Sequence, residues 1–245
     1  MSDQPPTAVV TGASRGFGRA IAAALVAAGT HVVGIARDER PLRAVRDDLG
    51  AGFTPIAGDA TDDFLAQAVI REHGPTLVVL NAGVAPHMAP VHEQTWETFS
   101  RNWQVDTRHV FAWTRAALRA PLAPGSVVVA MSSKGAVAGS PRSGGYAGAK
   151  AAIRFVARYA AAESAAAGLG IRFVTVLPVL TPTGIGAVGV AAYAAQQGVD
   201  PETFVDGLQP VLTPEQVAKS VVDLAGESDG AAEYEFTSAG PRAIG

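Results

Sequence analysis

Short β-rich runs alternate with Ala-rich helical stretches along nearly the whole chain, and no other feature restricts its fold as much. Residues 7–10, 31–36, 53–57, 77–80, 126–132, 172–177 and 233–237 read as strands. Helical stretches lie between them, over 18–28, 41–49, 63–72, 95–118, 146–167 and 214–225. The run 77–80 is apolar at every position, as suits a strand covered on both faces. A strand, a helix and another strand in succession need a crossover connection, so the sheet is expected to be mostly parallel with helices on both faces. No Pro/Ser-rich linker or short repeat interrupts the series. The expectation is one doubly wound α/β domain over 1–245, with its ligand crevice beyond the carboxyl ends of the strands where strand order reverses.

Composition excludes several function classes. The chain has 48% hydrophobic and 17% charged residues, as a well-packed globular protein does. Its 19 basic and 22 acidic residues leave a net charge of −3, so there is no basic field for nucleic acid, and no basic amphipathic stretch suggests a membrane surface. Cysteine is absent, which removes disulfides and thiolate metal sites and fits a reducing cytosol. Residues 1–6 are polar and carry no secretory signal pattern, and the apolar runs 77–80 and 127–131 are too short to span a bilayer. A cytoplasmic location is expected. His31, His73 and His109 show no metal-ligand spacing, so no metal is expected either.

The first strand ends in Thr11-Gly12-Ala13-Ser14-Arg15-Gly16-Phe17-Gly18. Glycines at a strand-to-helix turn let backbone N–H groups approach a pyrophosphate at the helix N-terminus. Arg15 stands in that turn and Arg37 directly after the second strand, where an acidic residue would hold a ribose 2′-hydroxyl and an arginine suits a 2′-phosphate. Ala36 occupies the place of the acid, and Asp38 reads as the cap of the next helix. NADP(H) is the cofactor this pattern favours.

Tyr146 and Lys150 are four residues apart, hence on one helix face. A phenol is a poor base at neutral pH, but a neighbouring ammonium and an oxidised nicotinamide favour the phenolate and make it a usable acid/base. Ser133, at the end of the strand 126–132, can donate a hydrogen bond to a reacting carbonyl oxygen.

With the glycine turn, this set resembles the short-chain dehydrogenase/reductase family over nearly the whole chain. The resemblance implies a Rossmann fold and hydride transfer between nicotinamide and a carbonyl/alcohol pair. It implies Tyr146 as proton donor or acceptor, Ser133 as its companion, and Lys150 as holder of the nicotinamide ribose. Asp59 and Ala60 match the family's adenine-side contact, and Asn81-Ala82-Gly83 its Asn-Ala-Gly element beside the cofactor. Pro178 and Thr183 match the segment whose threonine contacts the carboxamide, while Ser14 and Arg15 match the pair that accompanies NADP preference. A homo-oligomer, a tetramer or dimer, is implied as well, with the helices 95–118 and 146–167 at an interface.

Two positions depart from the family. Asp106 follows Val105 where the family has an Asn that supports a water linking the Lys to solvent, and Asn102 one turn earlier is not read as its substitute. Asp106 therefore either adds negative charge near Lys150 or is solvated or paired with Arg108. Val179 stands where a Gly usually follows Pro178.

Residues 180–206 read as a lid over the substrate, with Gly184, Gly186 and Gly189 allowing closure and apolar content hinting at an apolar substrate. Its stretch 184–195 reads as a mobile loop and helix. His87 reads as a solvated loop residue, Asp62-Asp63 as a helix start, and Trp96, Trp103 and Trp113 as core and subunit contacts. The leading expectation is an NADPH-dependent carbonyl reductase acting on a small molecule. The alternatives are a cofactor-binding regulatory or scaffold protein, or a dehydratase or epimerase on the same frame.

Overall fold

The computed structural model describes residues 5–227 and 229–244. Strands β1 (Thr7–Thr11), β2 (His31–Ala36), β3 (Phe53–Ala57), β4 (Leu77–Leu80), β5 (Val127–Met131), β6 (Arg172–Pro178), β7 (Glu233–Thr237) and β8 (Gly240–Ala243) form one sheet in the order β3-β2-β1-β4-β5-β6-β7-β8. The first seven run parallel and β8 returns antiparallel against β7. Helices α1 (Gly16–Ala27), α2 (Glu39–Leu49) and α10 (Pro214–Gly226) cover one face, where Ile21, Leu25, Leu42 and Leu224 pack on Val10 and Val129. Helices α3 (Asp63–His73), α5 (Arg108–Arg119) and α7 (Gly144–Ala166) cover the other, where Ile70, Trp113 and Ile153 pack on Val9 and Val78. The expected single α/β domain is the one observed.

The sheet reverses its winding between β1 and β4, so the turns leaving these two strands part and open a crevice between them. The turn after β1 enters α1, and the segment after β4 carries Asn81-Ala82-Gly83.

Differences from the sequence reading have local causes. Helix α1 starts two residues early, at Gly16, because the glycine turn itself begins the helix. The stretch 95–118 starts on a Thr95 cap as α4 (Trp96–Asn102) but passes through a π turn, Trp103–Thr107, before α5; apolar spacing carries no mark of one inserted residue. Helix α6 (Gly135–Ala138) is a single turn. The stretch 184–195 is helical from Ile185 on, in α8 (Ile185–Gln197) with Gly184 at its cap, and α9 (Pro201–Asp206) follows it. Strand β8 reads Gly-Pro-Arg-Ala, with no β-branched or aromatic residue, and is held as an edge by pairing with β7. Asp38 and Asp62 cap their helices as expected, accepting from the N–H groups of Arg40 and Phe64.

Candidate active site

The carboxyl ends of β1, β2, β4, β5 and β6 border a cavity of about 1260 Å³. Gly12, Ser14, Arg15, Gly16 and Phe17 line one end. Gly12 and Gly16 have φ of 68° and 54°, the left-handed region that a side chain strains to adopt. Gly18 is set back from the wall: a Cβ there would lie 2.2 Å from the Gly12 carbonyl oxygen, so its role is close packing of turn on helix. The first turn of α1 holds no acidic residue and no side chain caps it, which leaves its N–H groups and the positive end of its dipole to face the cavity.

Arg37, Asp59 and Ala60 line the same end. Among the described residues no carboxylate is hydrogen-bonded to Arg15 or Arg37, whereas Arg19 and Arg43 are held by Asp48 and Glu39. The Asp59 carboxylate accepts from the Thr61 N–H at 2.8 Å, which holds its carboxyl below the usual range against the opposing effect of burial, with Arg37 adding to the lowering. Trp113 is fully buried and its indole N–H donates to the Ala60 carbonyl, fixing that loop.

Asn81, Ala82 and Gly83 form the middle of the cavity wall. The Asn81 side-chain amide donates to the Thr11 carbonyl at 3.0 Å and stitches the two turns together. Thr11 Oγ1 accepts from the N–H groups of Asn81 (2.9 Å) and Ala82 (3.1 Å) and lies 3.0 Å from His109 Nε2. With both lone pairs of the hydroxyl in use, its one proton serves His109 Nε2 or the more distant Val79 carbonyl, so the ring fits here as a neutral acceptor. Burial first, and then the Lys150 charge, push His109 down to about 3. Sequence reasoning weighed His109 for metal binding alone and missed this place beneath the Asn-Ala-Gly turn.

Beyond β5 the cavity is lined by Ser133, Tyr146 and Lys150. The Ser133 hydroxyl accepts from the Gly135 N–H at 3.1 Å. Ser133 Oγ and Tyr146 Cε1 both lie within 4.0 Å of where a side chain on Gly135 would begin. Lys150 Nζ sits 5.6 Å from the Tyr146 ring centre and donates to the Met131 carbonyl at 3.0 Å. Its second partner is Asp106 Oδ2 at 3.4 Å. Asp106 lies behind the wall, fully buried, and also accepts from the Val84 N–H at 3.0 Å. The reading of Asp106 as solvated or paired with Arg108 is thus overturned; the π turn carries it inward. Asn102 is buried beside it and donates to the Val84 carbonyl.

Pro178, Val179 and Thr183 close the far wall. In the segment 180–206, Ile185, Tyr193 and Phe204 line the cavity, and the Tyr193 hydroxyl is 2.6 Å from Ser140 Oγ. Met88 lines it too, while His87 is exposed, as expected of a loop histidine. Trp96 is 76% exposed, unlike the core Trp113. Among the described residues no cluster of His, Asp or Glu could hold a metal ion, and no helix is long and apolar enough to cross a membrane.

Residues 6–192 match the family model described as short chain dehydrogenase. A cis-4-hydroxycyclohexanecarboxylate dehydrogenase of Sinomonas cyclohexanicum is 31% identical over 90% of this chain and 89% of its own. The 3-oxoacyl-(acyl-carrier-protein) reductase of Escherichia coli is 31% identical over 71% of this chain and 73% of its own. In fold, the chain is similar to a 3-ketoacyl-(acyl-carrier-protein) reductase from Brucella melitensis, complexed with NADH, with a TM-score of 0.78 at 22% identity over 95% and 96% of the two chains.

Proposed function

The chain belongs to the short-chain dehydrogenase/reductase family, and from that premise we propose that it is an NADP(H)-dependent reductase of carbonyl compounds, or the reverse alcohol dehydrogenase. The observation that carries the reading is the meeting of Ser133, Tyr146 and Lys150 on the wall of the cavity whose other end is the glycine turn of α1.

The residues present fit a nicotinamide dinucleotide. A pyrophosphate suits the uncapped N-terminus of α1 and the glycine backbone at Gly12 and Gly16. Arg15 and Arg37, to which no carboxylate among the described residues is hydrogen-bonded, suit a 2′-phosphate, and Asp38 is engaged as a helix cap. Asp59 and Ala60 serve the adenine side. Lys150 and Thr183 serve the nicotinamide end, beside Asn81, Ala82, Gly83 and Pro178. The cofactor, when bound, supplies or accepts the hydride.

The chain's own part is proton chemistry and placement. Ser133 donates a hydrogen bond to the substrate oxygen and fixes it near Tyr146. Tyr146 Oη gives its proton to that oxygen in reduction and takes it back in oxidation. The Lys150 ammonium stabilises the phenolate left behind, and Asp106 with the Met131 carbonyl holds that ammonium in place. The segment 180–206 acts as the lid that excludes water.

A second copy of the chain is the partner this reading expects, in a tetramer or dimer. Trp103 on the π turn, Phe111 on α5 and Phe155 and Tyr159 on α7 are 40–61% exposed on the two long helical stretches, where a subunit contact would cover them.

The test is NADPH oxidation with a panel of ketones and aldehydes. Turnover that falls by about 10²–10⁴-fold in Tyr146→Phe, with NADPH binding retained, supports the assignment. Cofactor binding without turnover of any carbonyl refutes it in favour of a scaffold.

A further inference from the structure

Ser140, Ser143 and Tyr193 form a group of three hydroxyls on the cavity wall. Ser140 Oγ is 2.5 Å from Ser143 Oγ and 2.6 Å from Tyr193 Oη. The two serines lie in the segment joining α6 to α7, and Tyr193 comes from α8 in the candidate lid. Ser143 stands directly before α7, where a serine normally caps the helix, yet its hydroxyl makes no cap hydrogen bond and turns to Ser140 instead. Three hydroxyls carry three protons, and the two bonds among them use two. One proton is left over, and the chain can reverse, so the group offers either a donor or an acceptor to a neutral oxygen.

Charge at this end of the cavity points the same way. Lys134 lines it, but its ammonium is 2.6 Å from the buried Glu235 carboxylate. Hydrogen bonds from Lys134 and then Arg242 hold the Glu235 carboxyl below its usual range, so the counter-charge persists at neutral pH. Lys150 is matched by Asp106. Beyond these paired cations, the substrate end is walled by Pro86, Met88, Leu180, Ile185 and Phe204. A carboxylate or phosphate on the substrate would be desolvated here, because the cations that line this end, Lys134 and Lys150, already face carboxylates, and Arg142 beside Ser143 is not among the lining residues. The Ser140 Cβ also lies within 4.0 Å of the Gly135 point that Ser133 and Tyr146 share, which puts the hydroxyl group a short carbon spacer from the reacting carbonyl.

Resting on the reductase reading above, we propose that the substrate is an uncharged, mainly apolar ketone that carries a second neutral oxygen, keto or hydroxyl, bound by the hydroxyls of Ser140, Ser143 and Tyr193. These three side chains then determine specificity, without a part in the proton transfer.

The experiment compares three ketones of one carbon skeleton, each with NADPH and with NADH: the plain ketone, one with a nearby hydroxyl or keto group, and one with a carboxylate there. The oxygenated neutral ketone is expected to exceed the plain one in kcat/KM by about tenfold, the worth of one buried hydrogen bond. The carboxylate is expected to fall at least about tenfold below the plain ketone. In Tyr193→Phe, and separately in Ser140→Ala, the ratio of oxygenated to plain should fall towards unity, through KM. A carboxylate that reacts as well as the neutral compounds, or an unchanged ratio in both variants, overturns this proposal while leaving the reductase reading intact. Failure of all three ketones with both cofactors overturns the reductase reading and this proposal with it.

Discussion

Replacing His109 by Gln should make the protein less sensitive to acid. The imidazole is fully buried, and it is lowered from 6.5 to about 3 by burial and then by the charge of Lys150. Protonation would also place a third N–H donor against Thr11 Oγ1, whose lone pairs already serve the N–H groups of Asn81 and Ala82. The folded state therefore refuses a proton that the unfolded chain accepts. Its stability is undiminished by this group above the unfolded value of 6.5 and declines as the pH falls from there towards 3. At about pH 5 the unfolded imidazole is nearly all protonated and the folded one nearly all neutral, so the loss is about 2 kcal/mol. The limit, reached below the folded value, is about 5 kcal/mol. Gln can keep a hydrogen bond to Thr11 but cannot titrate. His109→Gln should lose up to about 2 kcal/mol at about pH 8, and then gain about 2 kcal/mol relative to the parent on going to about pH 5. Urea denaturation of both proteins at each pH, at one protein concentration, reads the difference and cancels titrations common to the two chains. Parallel stability curves from about pH 8 to about pH 5 would refute the reasoning, because they would mean that His109 takes up its proton equally in both states.

Arg15→Ala/Arg37→Ala should raise KM for NADPH far more than for NADH, since each charge-assisted phosphate contact is worth about 1.5–3 kcal/mol; equal efficiency of the unmodified protein with both cofactors would end that assignment. Asp106→Asn should keep turnover and move the pH–rate profile of alcohol oxidation to lower pH, because the Lys150 charge would act on the phenolate without an opposing carboxylate at 3.4 Å. An unchanged profile would deny Asp106 that influence, and abolished activity would give the carboxylate a further role. Light scattering at micromolar concentration should show a dimer or tetramer, and Phe155→Arg on α7 should shift it towards monomer; a monomeric parent would count against the proposed contact.

The parts legible in the sequence are those whose physics is local. Apolar runs such as Leu77–Leu80 declared buried parallel strands, and the glycines at 12, 16 and 18 declared a turn that no bulkier residue fits as easily. Tyr146 and Lys150 share a helix face by spacing alone. What stayed hidden depends on partners far along the chain. Thr11 and His109 are 98 positions apart, and Ser140 and Tyr193 are 53 apart, so no window on the sequence contains either pair. Asp106 was visible as an oddity, but its direction was set by the π turn, whose extra residue rotates the helix and brings the carboxylate under Lys150. Trp96 and Trp113 show the same limit: both are tryptophans of one helical stretch, yet one is 76% exposed and the other fully buried. The motif residues locate the site, therefore, while the long-range pairs beneath and beside them carry the acid sensitivity and the substrate preference proposed for this chain. Variants at His109, Asp106 and Tyr193 are for that reason better probes of what distinguishes this chain than variants at Ser133 or Tyr146, whose loss would look alike in any relative sharing the motif.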